Sequence, residues 1–222
     1  MGGLDAAPEW PALRALLPPL RGRAVLDLGC GYGWLCRWAR AQGAARVIGV
    51  DLSERMLERA RAETADAGIE YVRADLEDLA PPAGPFDLVY SSLAFHYVVA
   101  LPRLLGRIHE ALGAGGALVF SIEHPLYTAP GRPEWTTDAA GHALWPLDRY
   151  LDEGPRTTTW LARSVTKQHR TIATYVNALV EAGFTVTHLH EWGPSAEQVA
   201  AHPEWANERQ RPPFLLVAAR RA

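Results

Sequence analysis

The stretch "VLDLGCGYGW" places glycines at 29, 31 and 33 directly after an apolar run, and an aspartate, Asp51, ends the next apolar run 22 positions beyond Gly29. Residues without a Cβ let the main chain turn with positive φ and lie close against a ligand. A carboxylate about 20 residues further on is the group that accepts hydrogen bonds from ribose hydroxyls. Together they point to a nucleotide-sized ligand that carries a ribose. A dinucleotide fingerprint needs a third glycine three positions after the second, and that position is Trp34. Its indole would crowd the helix against the strand, so a pyrophosphate ligand is disfavoured.

The elements that must position these groups follow from periodicity. Residues 24–28 read as a buried strand, and a helical pattern from Gly33 to Gln42 is closed by Gly43. A second strand at 46–50 ends at Asp51, and Ser53 is placed to cap a helix carrying Met56, Leu57 and Ala60. Strands at 69–73 and 86–90 lead to Asp75 and to Ser91 and Ser92, and Leu104, Leu105, Ile108 and Leu112 stripe the next helix before a strand at 117–122. Such alternation predicts a parallel sheet covered on both faces. From Glu123 to about Arg170 the periodicity fades into Pro, Gly, Thr and aromatic residues, which reads as an insertion. A helix through Ile172, Tyr175, Val176 and Leu179 and strands at 184–191 and 214–219 then resume the pattern.

At 222 residues and 48% hydrophobic, the chain suffices for a single domain: core 24–122 and 171–222, insertion about 123–170. A net charge of −3 and a pI near 6.2 give no broad basic field, so a small-molecule partner fits better than nucleic acid. Cys30 and Cys36, six apart at the start of one helix, are expected to face different sides and stay unbridged, as in a reducing cytoplasm. The apolar runs are short and the N-terminus lacks a basic-then-apolar layout, so neither a membrane span nor export is expected. Oligomeric state is not readable from the sequence.

In the order and spacing of "VLDLGCGYGWL", "VIGVDLSERMLERAR", "YVRADLEDL", "FDLVYSSLAFHYV" and "LGAGGALVFS", residues 24–122 resemble the class I S-adenosylmethionine-dependent methyltransferases, in the branch acting on small molecules. The resemblance implies a Rossmann-like, doubly wound α/β sheet of seven strands in the order 3-2-1-4-5-7-6, the last strand antiparallel, with the insertion as a cap over the acceptor. It implies S-adenosyl-L-methionine as cofactor and S-adenosyl-L-homocysteine as product. Gly29, Gly31 and Gly33 would line its methionine part, Asp27 would support the turn and reach the amino group, and Asp51 would accept from the ribose. Leu52 and Met56 would sandwich the adenine, Asp75 would bond its amino group, and Cys30, Leu76 and Ser91 would complete the site. Met56 as a plain core residue and Asp75 as a turn cap are the competing roles. Only 24 residues precede Val25, so either a truncated chain or a reduced lid is expected ahead of the glycine turn.

Methyl transfer from a sulfonium is an in-line displacement, helped mainly by positioning. A base is required only where the nucleophile must lose a proton, and histidine is suited to that. His169, in "VTKQHRT", ranks first, followed by His124 in "FSIEHP" and His96 in "SSLAFHYV". Each has a plainer role open to it: a helix cap for His169, fixing a strand end for His124, walling the cofactor for His96. Tyr127, Trp135, Tyr150 and Trp160 would line an acceptor pocket or form the insertion's own small core. Arg170 would anchor an acidic acceptor or pair with Asp152 or Glu153. His188 and His190 share one strand face, but no third metal ligand is evident. A macromolecular acceptor, RNA or protein, would use a basic stripe of Arg132, Arg149, Arg156, Arg163, Lys167 and Arg170, although six acids interleave with it. A non-catalytic binder of the same cofactor is the rival outside enzymology.

Overall fold

The structure is a computed structural model that describes residues 3–160 and 163–222, with side chains described outside 159–164. Helix α1 (Trp10–Ala15) precedes β1 (Ala24–Leu28), α2 (Trp34–Ala41), β2 (Arg46–Asp51), α3 (Glu54–Ala62) and β3 (Ile69–Arg73). Next come β4 (Phe86–Ser92), α4 (Leu101–Ala111) and β5 (Leu112–Glu123). The insertion holds α5 (Pro125–Thr128), a short hairpin β6 (Thr136–Thr137) and β7 (Ala143–Leu144), and a longer one, β8 (Gly154–Trp160) and β9 (Arg163–His169). The chain closes with α6 (Ile172–Glu181), β10 (Phe184–Trp192), α7 (Ala196–Ala201) and β11 (Phe214–Arg221).

Seven strands form one sheet in the order β10-β11-β5-β4-β1-β2-β3. The pairs from β3 to β5 are parallel, and β11 runs antiparallel to both of its neighbours. This is the expected order, with the two hairpins inserted between the fifth and sixth strands of the sheet. Alternate residues of each parallel strand feed opposite faces, because strand side chains have a period of two. Leu26, Leu28, Ile48, Val50 and Val89 enter the core covered by α4 and α6. Val25, Val47, Leu88 and Tyr90 enter the core covered by α1, α2 and α3.

Two local signals operate as read. Ser53 Oγ accepts from Met56 N at 3.4 Å, and α4 buries Leu101, Leu104, Leu105 and Ile108 along one stripe. The strand expected at 117–122 begins earlier, at Leu112, where β4 pairs Phe86 with it; pairing with β11 stops at Ala117. The segment between β10 and β11, which has no clear period in sequence, folds as α7 with a Ser195–Gln198 capping box and a 3-10 turn over Pro203–Arg209. Among the described residues no helix is long and apolar enough to cross a membrane.

Candidate active site

All three glycines of the turn between β1 and α2 have positive φ, at 78°, 54° and 71° for Gly29, Gly31 and Gly33. The main-chain N–H groups of Gly29 and Cys30 both donate to Val50 O, which ties the turn to the end of β2. A Cβ on Gly33 would lie 2.0 Å from Tyr71 Oη, and one on Gly29 would lie 2.5 Å from Ala94 Cβ. A Cβ on Gly31 would meet nothing within 4 Å, so the middle of the turn faces open space. Asp51 sits beside that space. Its Oδ2 accepts from Gly31 N and its Oδ1 from Ser53 N, each at 2.8 Å, which leaves a second lone pair on each oxygen for a ligand hydroxyl.

Next to Asp51, Leu52 is 56% exposed and Met56 is half-buried, an apolar shelf at the mouth of the turn. Asp75 is exposed and caps a short turn by accepting from Glu77 N at 2.9 Å, with Leu76 half-buried behind it. Ser91 is fully buried, and its hydroxyl is spent on Leu28 O at 2.7 Å, stapling β4 to β1. Asp27 is also buried, with the Cys36 thiol donating to Oδ2 at 3.3 Å, and burial pushes its pKa up to about 7. The two cysteines do not face apart as the spacing suggested. Each Sγ lies 2.9 Å from where a Gly49 Cβ would stand, and a hydrogen bond to Cys30 together with burial pushes the Cys36 thiol well up. Cys30 belongs to the turn rather than the helix, so the helical angle between them does not apply; both remain free thiols. A glycine cradle, a carboxylate with lone pairs left for ribose hydroxyls and an apolar shelf fit a nucleoside ligand with an amino-acid tail.

The histidines separate by what their ring nitrogens already do. His169 is fully buried, with Nδ1 on Thr128 Oγ1 and Nε2 on Tyr150 O, both at 2.9 Å. Neither nitrogen is left for a reacting proton, and burial lowers its pKa. His124 is equally buried; its Nδ1 accepts from Leu126 N to cap α5 and its Nε2 meets Glu191 Oε1 at 3.0 Å. His96 differs. Its Nδ1 accepts from Glu123 N at 3.3 Å, which assigns the ring proton to Nε2, and Nε2 has no partner. Burial, then the charges of Lys167 and Arg170, push its pKa down to about 3.

His96 stands two residues after Ala94, the residue in contact with Gly29, and three after Leu93, which is held at a φ of 53° with its N–H on Ser121 O. A non-glycine residue in that conformation is strained, and such strain gathers at functional sites. The segment runs from the glycine turn to β9 of the long hairpin, against which it packs. There Lys167 Nζ bonds Glu123 Oε1, and Arg170 Nη2 donates to Val98 O and Val99 O at 2.6 and 2.8 Å rather than pairing with Asp152 or Glu153. Glu153 instead accepts from Thr171 N and Thr174 Oγ1 at the start of α6.

The aromatic residues fall into two groups. Tyr127 and Trp135 gather with Trp145 around the guanidinium of Arg211, which lies 4.5, 5.5 and 4.1 Å from the three rings and bonds Glu208. Tyr150 packs edge-on against His169 and accepts from Ile172 N, away from that group. The side chain of Trp160 lies outside the described residues. Trp145, Arg211 and Glu123 lie among these side chains although none was a candidate site residue, and Lys167, named only in the basic stripe, bonds Glu123. For Glu123 a signal existed, as an acid at the carboxyl end of a parallel strand; Arg211 lies ahead of the last strand and reaches the site only through the antiparallel return. His188 and His190 are exposed on the edge strand β10, remote from these groups in the sheet order.

Residues 25–116 match a family model described as a methyltransferase domain. The fold is similar to that of an S-adenosylmethionine-dependent methyltransferase from Mesorhizobium loti, at 57% identity over 99% of this chain and 100% of that one, with a TM-score of 0.95. It is similar to a putative S-adenosylmethionine-dependent methyltransferase from Listeria monocytogenes at 40% identity over 98% and 99% of the two chains, with a TM-score of 0.88. In sequence it is 35% identical over 152 residues to a malonyl-[acyl-carrier protein] O-methyltransferase of Enterobacter lignolyticus, covering 68% of this chain and 54% of that protein.

Proposed function

Because the chain belongs to the S-adenosylmethionine-dependent methyltransferases, we propose that it moves a methyl group to an oxygen or nitrogen of a small-molecule acceptor held between the glycine turn and the insertion, which acts as a cap. The observation that supports this reading is the contact of Ala94 with Gly29, two residues ahead of His96, whose Nε2 is one of the buried polar atoms without a partner. S-adenosylmethionine supplies an activated methyl on a sulfonium. The chain's own residues bind and orient. The glycine turn gives main-chain approach, Asp51 receives the ribose hydroxyls on its remaining lone pairs, and Leu52 with Met56 cover the adenine. Asp27 meets the amino group, an arrangement that would favour its charged form.

In this reading His96 directs the acceptor by donating from Nε2, while His169 and His124 hold the cap and α5 in place. The relative named for O-methylation of malonyl-[acyl-carrier protein] supports an oxygen acceptor on a small acyl group. Calorimetric titration with S-adenosylhomocysteine tests the cofactor half. Asp51→Ala is expected to weaken binding by about 1.5–3 kcal/mol, the range for hydrogen bonds to a charged group. Unchanged affinity would remove Asp51 from the site.

A further inference from the structure

Among the described residues six buried side-chain atoms lack a hydrogen-bond partner: His96 Nε2, Glu123 Oε2, Thr158 Oγ1, Arg170 Nη1, and Nε and Nη1 of Arg211. All belong to residues at the carboxyl end of the parallel strands or on the hairpin beside it. Glu123 links those of His96 and Arg211. Its main chain donates to His96, its side chain bonds Lys167, and its charge reaches both Arg211 and the Tyr127 hydroxyl. Lys167 and Arg170 in turn are near enough to His96 to disfavour a charge on it. A buried polar group without a partner costs about 1–3 kcal/mol, and a concentration of them marks a place that something else completes.

Sorted by chemistry, this set is lopsided. His96 Nε2, Arg170 Nη1 and the two Arg211 atoms all carry N–H, whereas only Glu123 Oε2 is purely an acceptor and the Thr158 hydroxyl serves either way. Of the three buried cations, Lys167 bonds Glu123 and Arg211 bonds Glu208, whereas Arg170 donates only to the carbonyls of Val98 and Val99. The missing partner is therefore rich in acceptors and negatively charged. Beside it, Tyr127 and Trp145 lie 14° from parallel with centroids 5.8 Å apart, an aromatic pair against which the Arg211 guanidinium rests.

We propose that this cluster is the acceptor site and that the acceptor is a carboxylic acid with an apolar body, methylated on its carboxylate to give a methyl ester. The inference rests on the methyltransferase reading above. A carboxylate oxygen forms the new bond to the methyl carbon, and the carbon–sulfur bond of the sulfonium breaks with its electron pair passing to sulfur. The products are the ester and S-adenosylhomocysteine. No proton leaves, so no base is needed, in keeping with an imidazole whose Nε2 already bears hydrogen.

The test uses the full chain, first titrated with S-adenosylhomocysteine and then given methyl-labelled S-adenosylmethionine with phenylacetate, benzoate, hexanoate or glutarate. The matching primary amides, alcohols and amines serve as comparisons. The expected result is label on at least one acid, released as methanol by mild base, with none on the comparison compounds. Arg170→Gln and Arg211→Gln should each raise KM for that acid about 10- to 100-fold with cofactor affinity unchanged. Arg211→Lys, which keeps the charge among the rings, replaces Arg211→Gln if the latter does not fold, and a smaller rise is expected from it. Binding of S-adenosylhomocysteine combined with base-stable label on an alcohol or amine, with no accepted acid in the panel, or with a KM indifferent to both arginines, would overturn the proposal and leave the methyltransferase reading standing. Failure to bind S-adenosylhomocysteine would overturn both.

Discussion

At the scale of single residues, the glycine turn gives different weights to positions that look alike in sequence. Gly31 faces open space, so Gly31→Ala pays mainly for a positive φ, about 1–2 kcal/mol. Gly33→Ala adds a Cβ 2.0 Å from Tyr71 Oη and should cost more than about 3 kcal/mol. Chemical denaturation of the two variants checks the order, and equal losses would contradict it. Asp27 gives a pH effect of definite sign. Its folded pKa, raised by burial from 3.8 to about 7, means that the folded chain keeps a proton the unfolded chain has released. The group's contribution to stability is therefore complete below about pH 4 and lost as pH rises through about 7. Asp27→Asn should flatten that part of the stability profile. If the cofactor's ammonium meets Asp27, S-adenosylhomocysteine binding near pH 6.5 should also release protons, seen as a buffer-dependent heat that the Asn variant lacks.

At the scale of elements, the hairpin of β8 and β9 is the part that local rules describe least. Its register sets Arg156 opposite Lys167, two like charges that ordinarily repel across a strand pair. Both are buried, and each is compensated away from the hairpin: Lys167 by Glu123, Arg156 by the carbonyls of Ala129, Arg149 and Asp152. Arg156→Met should leave those carbonyls unpaired and make residues 130–160 sensitive to protease while the sheet stays intact. Resistance equal to the parent chain would show that the hairpin is held by other contacts. His169→Ala should act on the same element, costing about 1–3 kcal/mol through the stranded Thr128 hydroxyl and Tyr150 carbonyl. A bell-shaped rate profile that lost one limb in this variant, at unchanged stability, would restore His169 as a base.

At the scale of the whole molecule, a macromolecular acceptor requires the cap's cations on the surface. Arg156, Lys167 and Arg170 are buried, leaving Arg132 and Arg149 exposed among those whose side chains are described. RNA binding is accordingly expected to be weak, with a shallow dependence on salt in a filter or fluorescence titration; a steep slope would revive that acceptor class. The sequence by itself determined the sheet, because strand, turn, helix and strand repeat with local periods and each parallel pair needs its crossover. It made the proposed cofactor side legible for the same reason: Gly29, Gly31, Gly33 and Asp51 lie at the ends of consecutive strands, so a linear motif maps directly onto a place. The proposed acceptor side depends on tertiary structure. Glu123, Lys167 and Arg211 come together only because β11 runs back antiparallel to β5 and Lys167 of the hairpin reaches Glu123 at the end of β5. Which histidine keeps an unpartnered nitrogen likewise depends mostly on bonds from residues 19 to 67 positions away, such as Tyr150 to His169, Glu123 to His96 and Glu191 to His124, which no local spacing encodes.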